Sequence, residues 1–173
     1  MGRQSGLRVI PELEQKFPNI TGTPYERTSP ATNRYNCVAY AVHENHRNWW
    51  PNSHMFWPVR PAKATLNDFK VMLIVMFDFE ETETSLYEPG YERVAIFANA
   101  RGIPTHAARQ LEKGSWTSKL GQWIDISHTL DGMNGGEYGT VAFVMRRRVA
   151  PVAQSKPPEK AAEAPKGQGE LVP

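Results

Sequence analysis

The chain has one cysteine, Cys37. A single thiol cannot form an internal disulfide, nor a metal site built on cysteines alone. It is therefore a small packing group or a chemical one. A surplus of charge of one sign is also missing. Twenty Lys and Arg stand against 18 Asp and Glu, a formal net charge of +2, so no long-range field draws the chain to a polyanion. A dedicated nucleic-acid binder is disfavoured on that ground. Long hydrophobic runs are absent too. The most apolar stretch, Val71–Phe79, is far shorter than the roughly 20 residues of a bilayer span, and Asp78 interrupts it. Met1–Ile10 is polar and mixed and holds no apolar core of a secretory signal. These absences predict a soluble, cytoplasmic protein with no membrane partner, and leave open export by a route without a cleavable signal.

What is present suits one domain. The 173 residues are 40% hydrophobic, enough to close a single core with length to spare. Residues 150–173 are rich in Pro, Ala, Lys and Glu and contain no aromatic residue. Such a segment cannot bury enough apolar surface to offset its ordering entropy and is predicted to be a disordered tail. The folded unit is then 1–149.

Within that unit the first half reads as helix and loop. Pro11–Phe17 has Pro in its first turn and Pro18 after its end, the pattern of a short helix. Asn33–His46 reads as a helix with Asn33 or Asn36 as its cap. Trp49, Trp50, Phe56 and Trp57, among Pro51, Pro58 and Pro61, make an aromatic loop. Thr65–Phe77 combines a capping box, Thr65 with Asp68, and an apolar face of Leu66, Phe69, Leu73 and Met76. The second half reads as strands over Glu92–Ala98, Thr105–Leu111, Ser115–Leu120, Gln122–Ser127 and Tyr138–Arg147. In the last of these Val141, Phe143 and Met145 share one predicted face. Helices followed by an antiparallel meander predict an α+β domain.

Cys37 falls at or just inside the start of its predicted helix, where free main-chain N–H groups stabilise a thiolate. A nucleophilic thiol needs a base beside it. His43 points away from it on the same helix, and His46 is about 13 Å up the axis. His54 sits in the aromatic loop. His106 opens a strand of the β half, and His128 follows the last short strand. A helix-start Cys facing a strand His is the layout of papain-like thiol enzymes. The motifs Asn36-Cys37-Val38-Ala39-Tyr40-Ala41, Pro104-Thr105-His106-Ala107-Ala108-Arg109-Gln110-Leu111, Trp116-Thr117-Ser118-Lys119-Leu120-Gly121 and Tyr138-Gly139 resemble a family of small, uncharacterised bacterial proteins. That family is similar to the wider papain-like and NlpC/P60-like group.

The resemblance implies a papain-like core, with Cys37 as nucleophile and His106 as base. It also implies a cysteine-dependent hydrolase or acyl-transfer enzyme, but carries over no substrate; the expectation set here is a peptide, isopeptide or side-chain amide of a protein or peptide substrate, with no cofactor and no metal. By analogy alone such an enzyme would be a toxin, an effector or a defence component. The chain departs from NlpC/P60-like members in carrying Asn36 rather than Asp before the Cys, and in placing its His one strand later. Asp125 is favoured as the residue that orients His106, with Ser118 and His128 as alternatives. The main-chain N–H of Cys37 is one oxyanion donor, and the amide of Asn33 or Asn36 is the other. Trp49, Trp50, Trp57 and Trp116 are candidate walls of a substrate groove.

Plainer readings stand beside these. A lone Cys is commonly core packing, and a strand His commonly a satisfied structural residue. His43, Glu44, His46 and His54 lack the i, i+4 spacing of a helical zinc motif. The aromatic loop could instead serve a non-catalytic module as its protein-docking surface, and Arg146-Arg147-Arg148 reads as a solvated strand end.

Overall fold

The apolar stretch around Ile96 forms an eight-residue strand, β3 (Tyr91–Ala98), in which every residue after Tyr91 is buried. A strand hidden on both faces needs a layer on each side of its sheet. The computed structural model describes residues 9–60 and 62–149. The predicted tail lies outside these residues. β3 pairs antiparallel with β4 (Pro104–Gln110) on one side and with β7 (Thr140–Arg148) on the other. The ladder continues through β5 (Trp116–Lys119), β6 (Asp125–His128) and β1 (Glu26–Ser29) at one end, and ends in β2 (Glu80–Thr82) at the other. The result is a seven-stranded antiparallel sheet of order β1-β6-β5-β4-β3-β7-β2. The domain is α+β, as the run of helices followed by strands predicts.

Two cores flank the sheet. On one face α2 (Cys37–Ala41), the aromatic loop and α3 (Leu66–Phe77) pack on Val94, Ile96, Ala107 and Met145. On the other, α1 (Pro11–Lys16) and α4 (Leu130–Met133) close over Ala95, Phe97, Ala108, Trp116 and Ile126. α3 begins where its chemistry says it should. The Thr65 hydroxyl accepts from the Asp68 N–H, and the Asp68 carboxylate accepts from the Thr65 N–H. The helix is apolar nearly all round, so burying Phe69, Met72 and Leu73 leaves Ile74, Val75 and Met76 exposed.

Several expectations change. The helix expected over Asn33–His46 is five residues long. Asn36 caps its start, accepting from the Ala39 N–H at 3.2 Å. His43 ends it by adopting a left-handed conformation (φ 64°). The Glu44 N–H then donates back to the Ala39 carbonyl and the His43 N–H to Tyr40, a Schellman closure. Val141 does not share a face with Phe143 and Met145. The β3–β7 register slips between Ile96 and Phe97, so Val141 turns to the second core. β1, β2 and α4 are additions to the expected elements.

The turn that returns the chain to β7 depends on Gly139. It has φ 78°, and a Cβ there would stand 2.1 Å from the Ala98 carbonyl oxygen, a contact with backbone that no rotamer relieves. Gly139→Ala is expected to destabilise the domain by more than about 1 kcal/mol, read as a lowered urea midpoint at unchanged slope.

Candidate functional site

Cys37 is the first residue of α2, and 6% of its surface is exposed. Its sulfur faces three main-chain N–H groups, those of Ala107, Val38 and Cys37 itself, and lies within reach of the Lys119 charge. Each of these favours a thiolate. Burial outweighs them and pushes the thiol up to about 11. Because α2 is so short, the help comes from individual N–H groups and not from a long helix dipole.

His106 follows a different path. On β4 it sits opposite Phe97, while Ala107, the next residue, turns to the core of Cys37. The imidazole stacks on the Tyr138 ring with centroids 4.1 Å apart and planes 8° apart, and Phe97 meets it edge-on at 5.5 Å. It is 1% exposed, and among the described residues neither ring nitrogen has a hydrogen-bond partner. Burial holds its pKa well below the ordinary histidine value, with His128 adding to the effect. The hydrogen bond expected between Cys37 and His106 is therefore not formed. Tyr138 is the residue that senses both. It covers the imidazole, and its phenol is held above its ordinary range by burial, then by the Cys37 sulfur and Glu137.

The other predicted site residues are placed as follows. Asp125 does not reach His106. Its Oδ2 accepts from the Tyr35 hydroxyl at 2.7 Å, and its Oδ1 lies 3.9 Å from Lys119 Nζ, with no hydrogen bond. Burial and this carboxylate push the Tyr35 phenol up to about 12. Lys119 is fully buried, its ammonium donating to the Trp123 carbonyl. Ser118 and His128 meet each other, on the face away from α2. Ser118 Oγ is 2.8 Å from His128 Nε2, and His128 Nδ1 is 2.8 Å from the Thr129 carbonyl. A carbonyl only accepts, so Nδ1 carries the proton and Nε2 accepts from the serine. Burial lowers His128 to about 4.

Neither asparagine offers a free amide to an oxyanion from a position set by the fold. The Asn36 amide is spent on Ala39 and on both the N–H and the carbonyl of Trp49. Asn33 is exposed, with only its main-chain carbonyl held, by Asn48. Trp49, Trp57 and Trp116 are core residues, and the half-buried Trp50 packs edge-on against Phe69. His43 meets the carboxylate of Glu92. Arg146 and Arg147 are not solvated ends but pair with Glu80, Glu88 and Glu92.

Lys119 and Tyr138 fall within the motifs that carry the family resemblance, but neither was expected to take part in the site. A one-faced hairpin would put one of Ser118 and Lys119 in water. Here both are buried, because the sheet is covered on both sides.

An antiparallel sheet covered on both faces, with a thiol, an unpartnered imidazole and a buried Lys–Asp pair gathered around strands β4 to β6, defines the domain. The chain belongs to the family described as a domain of unknown function, DUF7689, whose profile matches residues 26–146, from the first strand almost to the end of the last. No curated protein and no solved structure matches it.

Two consequences are measurable. His106 and His128 are neutral when folded and titrate near the ordinary value of about 6.5 when unfolded. Below that value unfolding takes up protons. Their contribution is thus full above about pH 6.5 and is lost as pH falls toward the depressed folded values, about 4 for His128. Urea unfolding between pH 7 and pH 5 should show stability falling with a slope approaching about 1.4 kcal/mol per pH unit for each histidine. His128→Gln should remove one proton from that slope, and a flat profile would contradict the burial of both rings. The second consequence concerns the ion pair. Asp125→Ala leaves the Lys119 ammonium buried without its carboxylate and should cost about 3–5 kcal/mol, whereas the double change Lys119→Met, Asp125→Leu should cost far less.

Proposed function

We propose that the domain is a cysteine-dependent hydrolase or acyl-transfer enzyme of papain-like type, acting on a peptide, isopeptide or side-chain amide. Cys37 is its nucleophile and His106 its base. The observation that carries this reading is the state of His106. An imidazole is sealed into the domain with both nitrogens unpartnered among the described residues, one residue from the main-chain N–H that faces the sulfur. Leaving such a group unsatisfied costs about 1–3 kcal/mol, which a leucine or phenylalanine in the same space would avoid. A group with work to do elsewhere in the cycle accounts for that cost.

The arrangement is a closed one. The segment bearing Tyr138 runs between Gly135 and Gly139, both at positive φ, and the exposed Lys16–Glu137 pair (3.0 Å) ties it down. His106 lies on the face of the sheet away from Cys37, so the cycle requires more than a side-chain rotation: when Tyr138 leaves the imidazole face, β4 turns at its register slip beside His106 and brings a ring nitrogen to the sulfur. The imidazole then accepts the Sγ proton, and the thiolate attacks the carbonyl carbon of the amide. The oxyanion accepts hydrogen bonds from main-chain N–H groups at the start of α2. Collapse of the tetrahedral adduct breaks the C–N bond, and the imidazolium gives its proton to the departing amine. Water, or an acceptor amine, loses a proton to His106 as it attacks the thioester and frees Cys37.

Docking through the aromatic loop, the competing expectation, loses its surface because Trp49 and Trp57 are internal. The test is to incubate the purified native chain, Cys37→Ala and His106→Gln with a proteome-derived peptide mixture and read the products by mass spectrometry. New termini or converted amides are expected with the native chain and should fall at least a hundredfold with either variant, on the order of a lost general base. A product pattern common to all three, from variants whose circular dichroism is native, would sink the proposal.

A further inference from the structure

Arginines withdrawn from solvent in this domain have carboxylates, with one exception. Arg93 meets Glu88 at 3.1 Å, Arg146 meets Glu80 at 2.9 Å and Glu88 at 3.1 Å, and Arg147 meets Glu92 at 2.8 Å. Arg109 is half-buried too, yet among the described residues it has no ion pair, and its buried Nε has no hydrogen-bond partner. Its guanidinium carbon lies 5.3 Å from the ring centroid of Tyr40, a residue of α2, so the cation rests against the helix that begins with Cys37. A ring face satisfies the charge in part but leaves the N–H donors along the guanidinium edge unused. Those donors form a planar fork that matches a carboxylate.

The position of Arg109 gives that fork a purpose. It stands two residues along β4 from Ala107 on the same face of the sheet, about 7 Å beyond the N–H that faces the Cys37 sulfur. Across the ladder its neighbour is Thr117, whose hydroxyl is 3.1 Å from the Tyr40 hydroxyl, so the wall behind the guanidinium is held from both sides. We infer that Arg109 binds a free carboxylate of the substrate, so that the enzyme favours amides carrying an acidic side chain or a chain-terminal carboxylate within about one residue of the reacting carbonyl. The inference rests on the reading of Cys37 as the nucleophile. It adds a specificity determinant that neither Cys37 nor His106 supplies.

The experiment uses electrophiles of matched reach on the full chain. N-iodoacetylglycine carries a terminal carboxylate, the α-amide of N-iodoacetylaspartic acid a side-chain carboxylate, and N-iodoacetylglycinamide neither. The rate at which each acid alkylates Cys37, divided by the rate of the neutral amide, is compared with the same ratio for N-acetylcysteinamide. The native ratio should exceed the free-thiol ratio by about tenfold for at least one acid, the worth of one charge-assisted contact. Which acid shows the excess identifies the source of the carboxylate. Arg109→Gln should bring the ratio down to that of the free thiol, and Arg109→Lys should retain part of it. A native ratio equal to the free-thiol value, with Cys37 labelled by all three reagents, overturns the carboxylate site and leaves the nucleophile standing. An excess that persists in Arg109→Gln also overturns it, assigning the attraction to another cation such as Lys119. If Cys37 is alkylated only in urea, the nucleophile itself fails and the carboxylate site fails with it.

Discussion

Both faces of the sheet are covered, and successive side chains of a strand must go to opposite faces. That constraint decides which polar groups can meet. Along β4 it sends Ala107 and Arg109 toward α2, and His106 and Ala108 toward the second core. Cys37 consequently meets the main chain of Ala107, while the imidazole next to it in sequence stacks on Tyr138. Along β5 the same alternation sends Thr117 and Lys119 to the α2 side and Trp116 and Ser118 to the other. The Lys119 ammonium is thereby drawn beneath Tyr35 and beside Asp125, and Ser118 is delivered to His128. Two polar clusters form where the order of residues along the chain offers one.

Much of the fold was legible because local chemistry and tertiary packing agree. Thr65 and Asp68 announce the start of α3 by their own hydrogen bonds, and the apolar run that ends Glu92–Ala98 needs only neighbours on both sides to become β3. The failures have separate physical causes. The start of α2 is written in Asn36, but its end depends on His43 taking a left-handed conformation, a choice glycine would have advertised and histidine does not. β1 and β2 are short, polar and mostly exposed strands at the two edges of the sheet, so they carry no apolar alternation to be read. The aromatic loop reads as surface because it is irregular and rich in proline. It is core because α2 and α3 leave a space between them that Trp49 and Trp57 fill.

Of the candidate site, the residue types were legible and their partners were not. Cys37 at a helix start and His106 on a strand are where the motifs imply. The expected partnership of Asp125 with His106 required a sheet with one working face. A carboxylate on β6 that instead accepts from Tyr35 and lies near Lys119 belongs to the α2 side, and a histidine on β4 that turns the other way has no carboxylate to accept from it. Spacing along the sequence cannot distinguish these outcomes. It does not say whether a second layer covers the far face.

Polar groups left dry by folding are few in native domains, and each calls for a cause. Here they are unevenly spread. Of the eight buried side-chain atoms without a partner among the described residues, four lie on β4 alone: both nitrogens of His106, Nε of Arg109 and Oε1 of Gln110. A fifth, Oδ1 of Asp125, sits two strands away in the same sheet. A strand selected only for packing would carry apolar residues at such positions and lose nothing by it. The cost is concentrated on the strand whose main chain faces the sulfur, in side chains that offer a proton acceptor and a carboxylate fork. On β4 these groups divide between the two faces: Arg109, like Asp125, lies on the face of Cys37, whereas His106 and Gln110 lie on that of the second core, so alternation along the strand distributes the unused hydrogen-bonding capacity to both sides of the sheet.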